Sequence, residues 1–207
     1  MSAAVSSAAE STTPNAAVSR SVRLVRVIVL LFSGMAIAFS ATMHEQLGFD
    51  LGITSAALGA IAVAHLIEWF ARRSTSRSSL PLLLGVVAVA AAVAIPLSSS
   101  AIGFAVLIAA WSLVSALLEF IGAAVQPGSR QDSTLLGGAG VLLALLALLV
   151  REDPVAVLGF FGAYAVIAGV FLGISAFDTR AHDGRSTSDS AAVAGAPAAE
   201  QSSADAR

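Results

Sequence analysis

Six long apolar segments, separated by short polar connections, make up most of this 207-residue chain. Most stay apolar over roughly 20 residues, the length of helix that crosses a hydrocarbon core of about 30 Å. A surface helix of a soluble protein would instead carry a polar face. The pattern therefore predicts an all-α integral membrane protein with six transmembrane helices. The spans are expected at about residues 24–43, 53–71, 80–97, 101–125, 135–150 and 155–177.

Both ends of the chain lack this apolar pattern. Residues 1–19 and 181–207 consist mainly of Ala, Ser, Thr, Asp and Gly. Such segments bury too little apolar surface to offset the entropy that ordering costs. They are therefore predicted to be disordered tails on either side of a membrane domain of residues 20–180.

Composition supports a membrane location and excludes several classes of function. Hydrophobic residues make up 57% of the chain and charged residues 12%, whereas soluble domains carry about 25% charged residues. The mean hydropathy is +0.88. The absence of cysteine excludes disulfides and thiolate metal sites. A net charge of -2 without a basic stripe argues against a nucleic-acid partner, so the expected partner is the lipid bilayer.

The placement of arginine predicts how the chain is oriented in the membrane. All eleven basic residues are Arg, and ten of them precede the first span or follow an even-numbered span. Positive residues favour the cytoplasmic side of a membrane. Only Arg151 falls on the opposite side, where Glu45, Asp50, Glu152 and Asp153 are also expected. The sequence thus predicts a multi-pass protein of a bacterial-type plasma membrane, with both termini in the cytoplasm.

Glycine and glutamate recur at a regular spacing. Gly34, Gly85 and Gly137 stand near the start of the odd-numbered spans, 51 and 52 residues apart, and Glu68 and Glu119 in the even-numbered spans are 51 apart. A period that contains two spans predicts three helical hairpins related as parallel repeats. Any six-span protein with short loops would give a similar period, and the last hairpin has no corresponding Glu.

Part of this pattern resembles a known family. The segment from Trp111 begins WSLVSALLEFIGAAVQPGSR, and a Leu-Gly pair opens the odd-numbered helix that follows. Aromatic residues head the even helices at Trp111 and Tyr164, and Pro96 and Pro154 follow the odd helices. Over residues 33–180 the chain resembles the HdeD-type acid-resistance membrane proteins, although its first hairpin lacks the proline. The resemblance implies a place in the cell envelope and a role in acid stress, and it supplies no catalytic residues.

Two carboxylates inside the spans are the main candidates for function. Acidic residues within a membrane are costly, so Glu68 and Glu119 are candidate functional residues. His65 shares a helix face with Glu68, and Ser115 is placed to donate a hydrogen bond to Glu119. One hypothesis is therefore a small proton-linked transporter or channel that uses Glu68, His65 and Glu119. It predicts a water-accessible cavity that reaches all three.

A structural role for the same residues remains an alternative. Arg72 lies four residues after Glu68, which allows an ordinary ion pair at the membrane surface. Glu119 lies about 9 Å inside the end of its helix, so both carboxylates fall in the cytoplasmic third. Trp69, Arg72 and Arg73 are expected to anchor the second span at the interface, and Trp111 could do the same for the fourth.

The remaining motifs predict packing and no chemistry. Gly169 and Gly173 form a GxxxG pair, which lets helices approach closely, either within the bundle or between subunits. A scaffold that associates through this face, as a homo-oligomer or with a membrane partner, is a third hypothesis. His44, His65 and His182 fall too far apart to form one metal site. Because no catalytic constellation is present, the sequence predicts a non-enzymatic protein without a cofactor.

Overall fold

The computed structural model describes residues 20–40, 43, 46–73, 78–125 and 130–194, and the side chains of all of these except residues 20, 130 and 178–194. Six of its helices contain a stretch that is long and apolar enough to cross a membrane. This confirms the predicted all-α, six-span fold. The helices are α1 (Arg20–Phe39), α2 (Leu47–Arg72), α3 (Leu80–Ala94, continued by a 3-10 turn at Ile95–Leu97), α4 (Ala101–Val125), α5 (Arg130–Leu149) and α6 (Pro154–Ala194).

The second helix begins earlier than the sequence predicts. It starts at Leu47, and Asp50, which was expected in an outer loop, lies in its first turn and is fully buried. An acidic residue in the first turn of a helix is stabilised by the positive end of the helix dipole. Polarity at Asp50 therefore does not end the helix, which begins before the span predicted from about residue 53.

The last helix also extends beyond its predicted end. It continues to Ala194, past residue 177, where the last span was expected to end. No proline interrupts this segment, and proline is the residue that most strongly breaks a helix. The predicted N-terminal tail and residues 195–207 lie outside the described residues.

The helices pack in chain order, and α6 closes the arrangement against α1. The most extensive contacts lie between α2 and α3, α4 and α5, and α6 and α1. Contacts within the predicted hairpins α1–α2, α3–α4 and α5–α6 are less extensive. Each tight pair therefore joins an even-numbered helix to the odd-numbered helix that follows it around the bundle.

The repeated glycines explain why these three pairs are the tight ones. Each glycine of an odd-numbered helix faces the even-numbered helix of its pair, where the lack of a side chain allows close approach. A Cβ added at any of the three would press on the neighbouring helix. Its nearest atoms would belong to Val166 for Gly34 (2.6 Å), Leu66 for Gly85 (3.2 Å) and Phe120 for Gly137 (2.9 Å).

Large apolar side chains divide between the interior and the outer surface. Those that are fully buried include Leu58, Ile95, Phe104, Ile108, Leu158 and Phe161. Many others remain exposed, including Phe32, Phe39, Val63, Leu117, Leu145, Ile167 and Phe177. An exposed apolar surface this extensive would be unfavourable in water. It is the surface expected of a multi-pass membrane protein in contact with lipid.

Candidate functional site

Four charged side chains from three helices meet inside the bundle. We call Arg26 of α1, Glu68 and Arg72 of α2 and Glu119 of α4 the charge cluster. Arg26 Nη2 lies 2.6 Å from Glu119 Oε1, and Arg26 Nη1 lies 4.0 Å from Glu68 Oε2. Arg72 Nη2 lies 2.7 Å from Glu68 Oε1. The cluster thus alternates positive and negative groups and has no net charge.

These side chains face the interior of the bundle. The side chains of Glu68 and Glu119 are 13% and 11% exposed, and that of Arg26 is 17% exposed. Taking an ion pair out of water is costly, and mutual attraction offsets the cost only when the geometry is good. The predicted i,i+4 pairing of Glu68 with Arg72 is confirmed, but it forms part of a larger network.

Arg26 is the central residue of this network, and the sequence reading missed it. It was counted with the basic residues that precede the first span. It nevertheless lies within the predicted span 24–43, where a charged side chain is costly unless it finds a partner. That cost was the feature of the sequence from which a buried partner for Arg26 could have been predicted. The pattern along one helix could not identify the partner, because Glu119 lies 93 positions away.

The charge cluster lines a cavity that we call the vestibule. Its volume is about 170 Å³, which is room for about ten water molecules. It lies at the end of the bundle that carries Arg23, Arg72 and Arg73, the Arg-rich end. Besides the charge cluster, its wall includes Arg23, Pro81, Asp132, Ser133 and Ser175.

A smaller space, the inner chamber, continues from the charge cluster into the bundle. Its volume is about 20 Å³, which suits a single water molecule. Its polar lining comprises Arg26, His65, Trp111, Ser115, Glu119 and Tyr164. His65 Nδ1 and Trp111 Nε1 are buried there without a hydrogen-bond partner in the described protein. Buried polar groups are usually paired with protein or ordered water, so the chamber offers the place where these two would find one.

The polar lining reaches deep into the membrane. At about 1.5 Å per residue, Trp111 lies roughly 21 Å along α4 from Val125, the last described residue of that helix. Glu119 lies only about 9 Å from the same end. Polar groups therefore continue past the middle of a hydrocarbon core of about 30 Å. The carboxylates do lie near one end, as predicted, but they do not mark the limit of the polar region.

Apolar side chains close the opposite half of the bundle. Phe104, Ile108 and Phe161 are all fully buried, and Phe161 packs edge-on against Trp111 with ring centroids 5.6 Å apart. The end opposite the Arg-rich end carries Asp50, Glu152 and Asp153, and we call it the acidic end. Near it, α2 carries a second buried polar pair. There the Thr54 hydroxyl donates a hydrogen bond to the Asp50 carbonyl over 2.7 Å. The inward face of α2 is thus polar at both ends and apolar between them.

One predicted contact takes a different form in the structure, and one predicted packing site lies within the bundle. In the described part of the chain, the hydrogen bond to Glu119 comes from Arg26, and Ser115 lines the inner chamber instead. Gly169 and Gly173 pack within the bundle against α1. A Cβ at Gly169 would lie 2.8 Å from Leu31, so α1 already occupies the face that the scaffold hypothesis required.

The predicted interface anchors separate into two groups. Trp69 and Arg73 lie beside Phe70 near the Arg-rich end: the Trp69 ring packs edge-on against Phe70, and the Arg73 guanidinium lies 5.1 Å from the centre of the Phe70 ring. Arg72 turns inward to Glu68. Trp111, which was also considered an anchor, is buried and faces Tyr164 and Phe161. An indole that packs between two aromatic rings gains more from burial than from the interface.

Comparisons with protein-family models, with curated proteins and with solved structures found no match for this chain.

Proposed function

We propose that this chain is a small proton-linked membrane transporter whose charge cluster and vestibule form the binding site. The observation that carries the proposal is that Glu68 and Glu119 lie in one ion-paired network on the wall of a cavity. Charges inside a membrane protein are costly and usually mark a pathway or a binding site. A protein that only packed against lipid or a partner would have no need for such a cavity.

The geometry suggests how proton binding couples to the cavity. A proton on Glu119 cancels the charge that holds Arg26 at 2.6 Å. Arg26 then keeps only its more distant partner Glu68 at 4.0 Å, so its guanidinium becomes available to a solute. Conversely, a solute anion that binds Arg26 competes with Glu119 for the same guanidinium. The two binding events are thereby linked.

The inner chamber extends this site towards the middle of the membrane. A water molecule there would have the unpaired His65 Nδ1 and Trp111 Nε1, and the Glu119 carboxylate, among the polar groups of the chamber wall. Beyond the chamber, Phe104, Ile108 and Phe161 separate it from the acidic end. A site open at one end and closed at the other corresponds to one state of an alternating-access cycle.

Proton movement in liposomes tests this function directly. Purified full-length protein would be reconstituted with a pH-sensitive dye inside, and an acid pulse applied with and without a mixture of small polar solutes. We expect protein-dependent acidification that Glu119→Gln abolishes. Glu152→Gln, at an exposed site on the other end, is the matched control. Acidification no faster than in protein-free liposomes, under both conditions, would rule out the transport function.

Acid resistance is a second role, and it rests on the resemblance to HdeD-type proteins. The structural observation in its favour is that two carboxylates inside the spans, Glu68 and Glu119, hold Arg26 in place. Deletion of the gene should reduce survival at low pH, and complementation with Glu119→Gln should fail while Glu152→Gln succeeds. Equal survival of the deletion and parental strains would remove this role without affecting the transport proposal.

A further inference from the structure

Two charged side chains of the vestibule stand outside the charge cluster. Within the residues that the structure describes, Arg23 of α1 forms no ion pair. Asp132 of α5 accepts one hydrogen bond, over 2.8 Å, from the hydroxyl of Ser175 on α6. Both line the same cavity of about 170 Å³. The charge cluster is neutral, so the unbalanced charges of the described wall are one guanidinium and one carboxylate.

From this arrangement we propose that the vestibule binds a small zwitterion, a molecule with a carboxylate or phosphate at one end and an ammonium group at the other. While Arg26 is paired with Glu119, the anionic group contacts Arg23 and the ammonium group contacts Asp132. The inference deepens the proposed function by naming its solute class, and it rests on that function for the transport step.

The two wall charges come from separate helices, and the carboxylate is held by a hydrogen bond. Arg23 lies one turn before Arg26 on α1 and faces the same cavity. Asp132 lies in the first turn of α5, and its contact with Ser175 orients the carboxylate. Since α6 separates α1 from α5 in the packing order, a bound molecule would bridge the two side chains across the vestibule.

Charge balance favours a zwitterion over an ion of either sign. An anion would pair with Arg23 but bring a second negative charge near Asp132, and a cation would do the reverse. Both penalties grow in a cavity that is partly removed from water, because charges interact more strongly there. A molecule with both charges satisfies both side chains and keeps the site neutral.

This chemistry has two sources in a membrane. Free amino acids carry it, and so does the phosphoethanolamine headgroup of phosphatidylethanolamine. The shared feature is an anionic group joined to an ammonium group by a short chain. Binding to protein in nanodiscs with and without phosphatidylethanolamine distinguishes the two sources.

Binding to full-length protein in nanodiscs of phosphatidylglycerol, whose headgroup carries no ammonium group, tests the inference. The probes are glycine, β-alanine, 4-aminobutyrate and phosphoethanolamine. The first three separate a carboxylate from an ammonium group by increasing lengths, and the fourth carries a phosphate in place of the carboxylate. Acetate and methylammonium are the singly charged controls. At least one zwitterion should bind saturably and about tenfold or more tightly than either control, because it satisfies both wall charges. The length of the best probe then reports the separation of Arg23 and Asp132.

Two variants and one control assign the binding to these residues. Arg23→Gln and Asp132→Asn should each weaken binding by about tenfold or more. Arg151→Gln, which is exposed at the other end, should leave it unchanged. Unaltered helical circular dichroism and elution volume would establish that each variant is folded. If a variant fails to fold, the comparison of zwitterions with singly charged probes on the unmodified protein still decides whether the vestibule prefers a zwitterion.

The outcomes separate the sources and expose a failure. If phosphatidylethanolamine in the nanodisc abolishes binding of soluble phosphoethanolamine, the site takes the lipid headgroup. If the lipid has no effect, the site takes a free solute. Zwitterions that bind no better than acetate or methylammonium, or that bind both variants normally, would overturn the inference. Proton movement that persists in that case would leave the transport function standing.

Discussion

Arg26 donates a hydrogen bond from Nη2 to Oε1 of Glu119 over 2.6 Å, although 93 positions separate the two residues in the chain. The contact joins α1 to α4 across the interior of the bundle, near the Arg-rich end. It places a positive group between Glu119 and Glu68 and so joins Glu119 to the Glu68–Arg72 pair in one network.

Removal of one partner of the Arg26–Glu119 pair should destabilise the protein more than removal of both. Glu119→Gln leaves Arg26 with only its distant partner, and breaking a buried pair in this way costs about 3–5 kcal/mol. Water in the vestibule reduces the expected loss to about 2–3 kcal/mol. The double variant Arg26→Gln with Glu119→Gln should recover part of that loss. Thermal unfolding in detergent measures all three, and losses that simply add would contradict a direct pairing.

The close approach of α1 and α6 should depend on Gly34. A Cβ there would lie 2.6 Å from Val166 Cγ2 and 2.8 Å from the Gly162 carbonyl oxygen. Because a backbone atom cannot move aside cheaply, Gly34→Ala should lower stability by about 1–3 kcal/mol.

Gly59→Ala provides the matched control for Gly34→Ala. Nothing lies within 4 Å of a Cβ at Gly59, so the substitution should be neutral or stabilise by up to about 1 kcal/mol through higher helix propensity. Thermal unfolding in detergent measures both variants. Equal effects at the two positions would show that close packing does not account for the glycine at position 34.

Trp111→Phe should separate stability from function. Its Nε1–H has no hydrogen-bond partner among the described residues, so the expected loss of stability, about 1–2 kcal/mol, comes from the smaller ring alone. In the proposed transporter it should nevertheless slow proton movement, because the inner chamber loses a polar contact. Trp69→Phe, outside the chamber, is the control for the liposome assay. If Trp111→Phe transports protons at the normal rate, the indole has no part in the pathway.

Single cysteines should report the orientation predicted from the arginines. The chain has no native cysteine, so Ser79→Cys and Ser99→Cys each provide one thiol, at exposed positions on opposite ends of α3 and its 3-10 extension. A membrane-impermeant maleimide applied to intact cells should label Ser99→Cys and should reach Ser79→Cys only after lysis. Labelling with the opposite pattern would reverse the predicted topology.

Part of the candidate site could be predicted from the sequence, because a carboxylate within an apolar span stands out in the sequence pattern alone. Glu68, Glu119 and His65 were identified in this way, and the structure brings all three to the charge cluster and inner chamber. Asp132 and Ser175 were not predicted as site residues, because polar residues are common near the ends of apolar spans. They become notable only when α5 and α6 bring them within 2.8 Å of each other on the wall of one cavity.

The sequence by itself determined the membrane class, the six spans and the repeated glycines, because apolar length and residue spacing are local properties of the chain. The tertiary structure decided which face of each helix turns inward. That choice brought Arg26 to Glu119, buried Asp50 and Trp111, and placed Gly169 against Leu31. The physical reason is that lipid is as apolar as the interior of the bundle. A helix that is apolar on all sides therefore gains little from any one rotation, and the few polar contacts between helices set it.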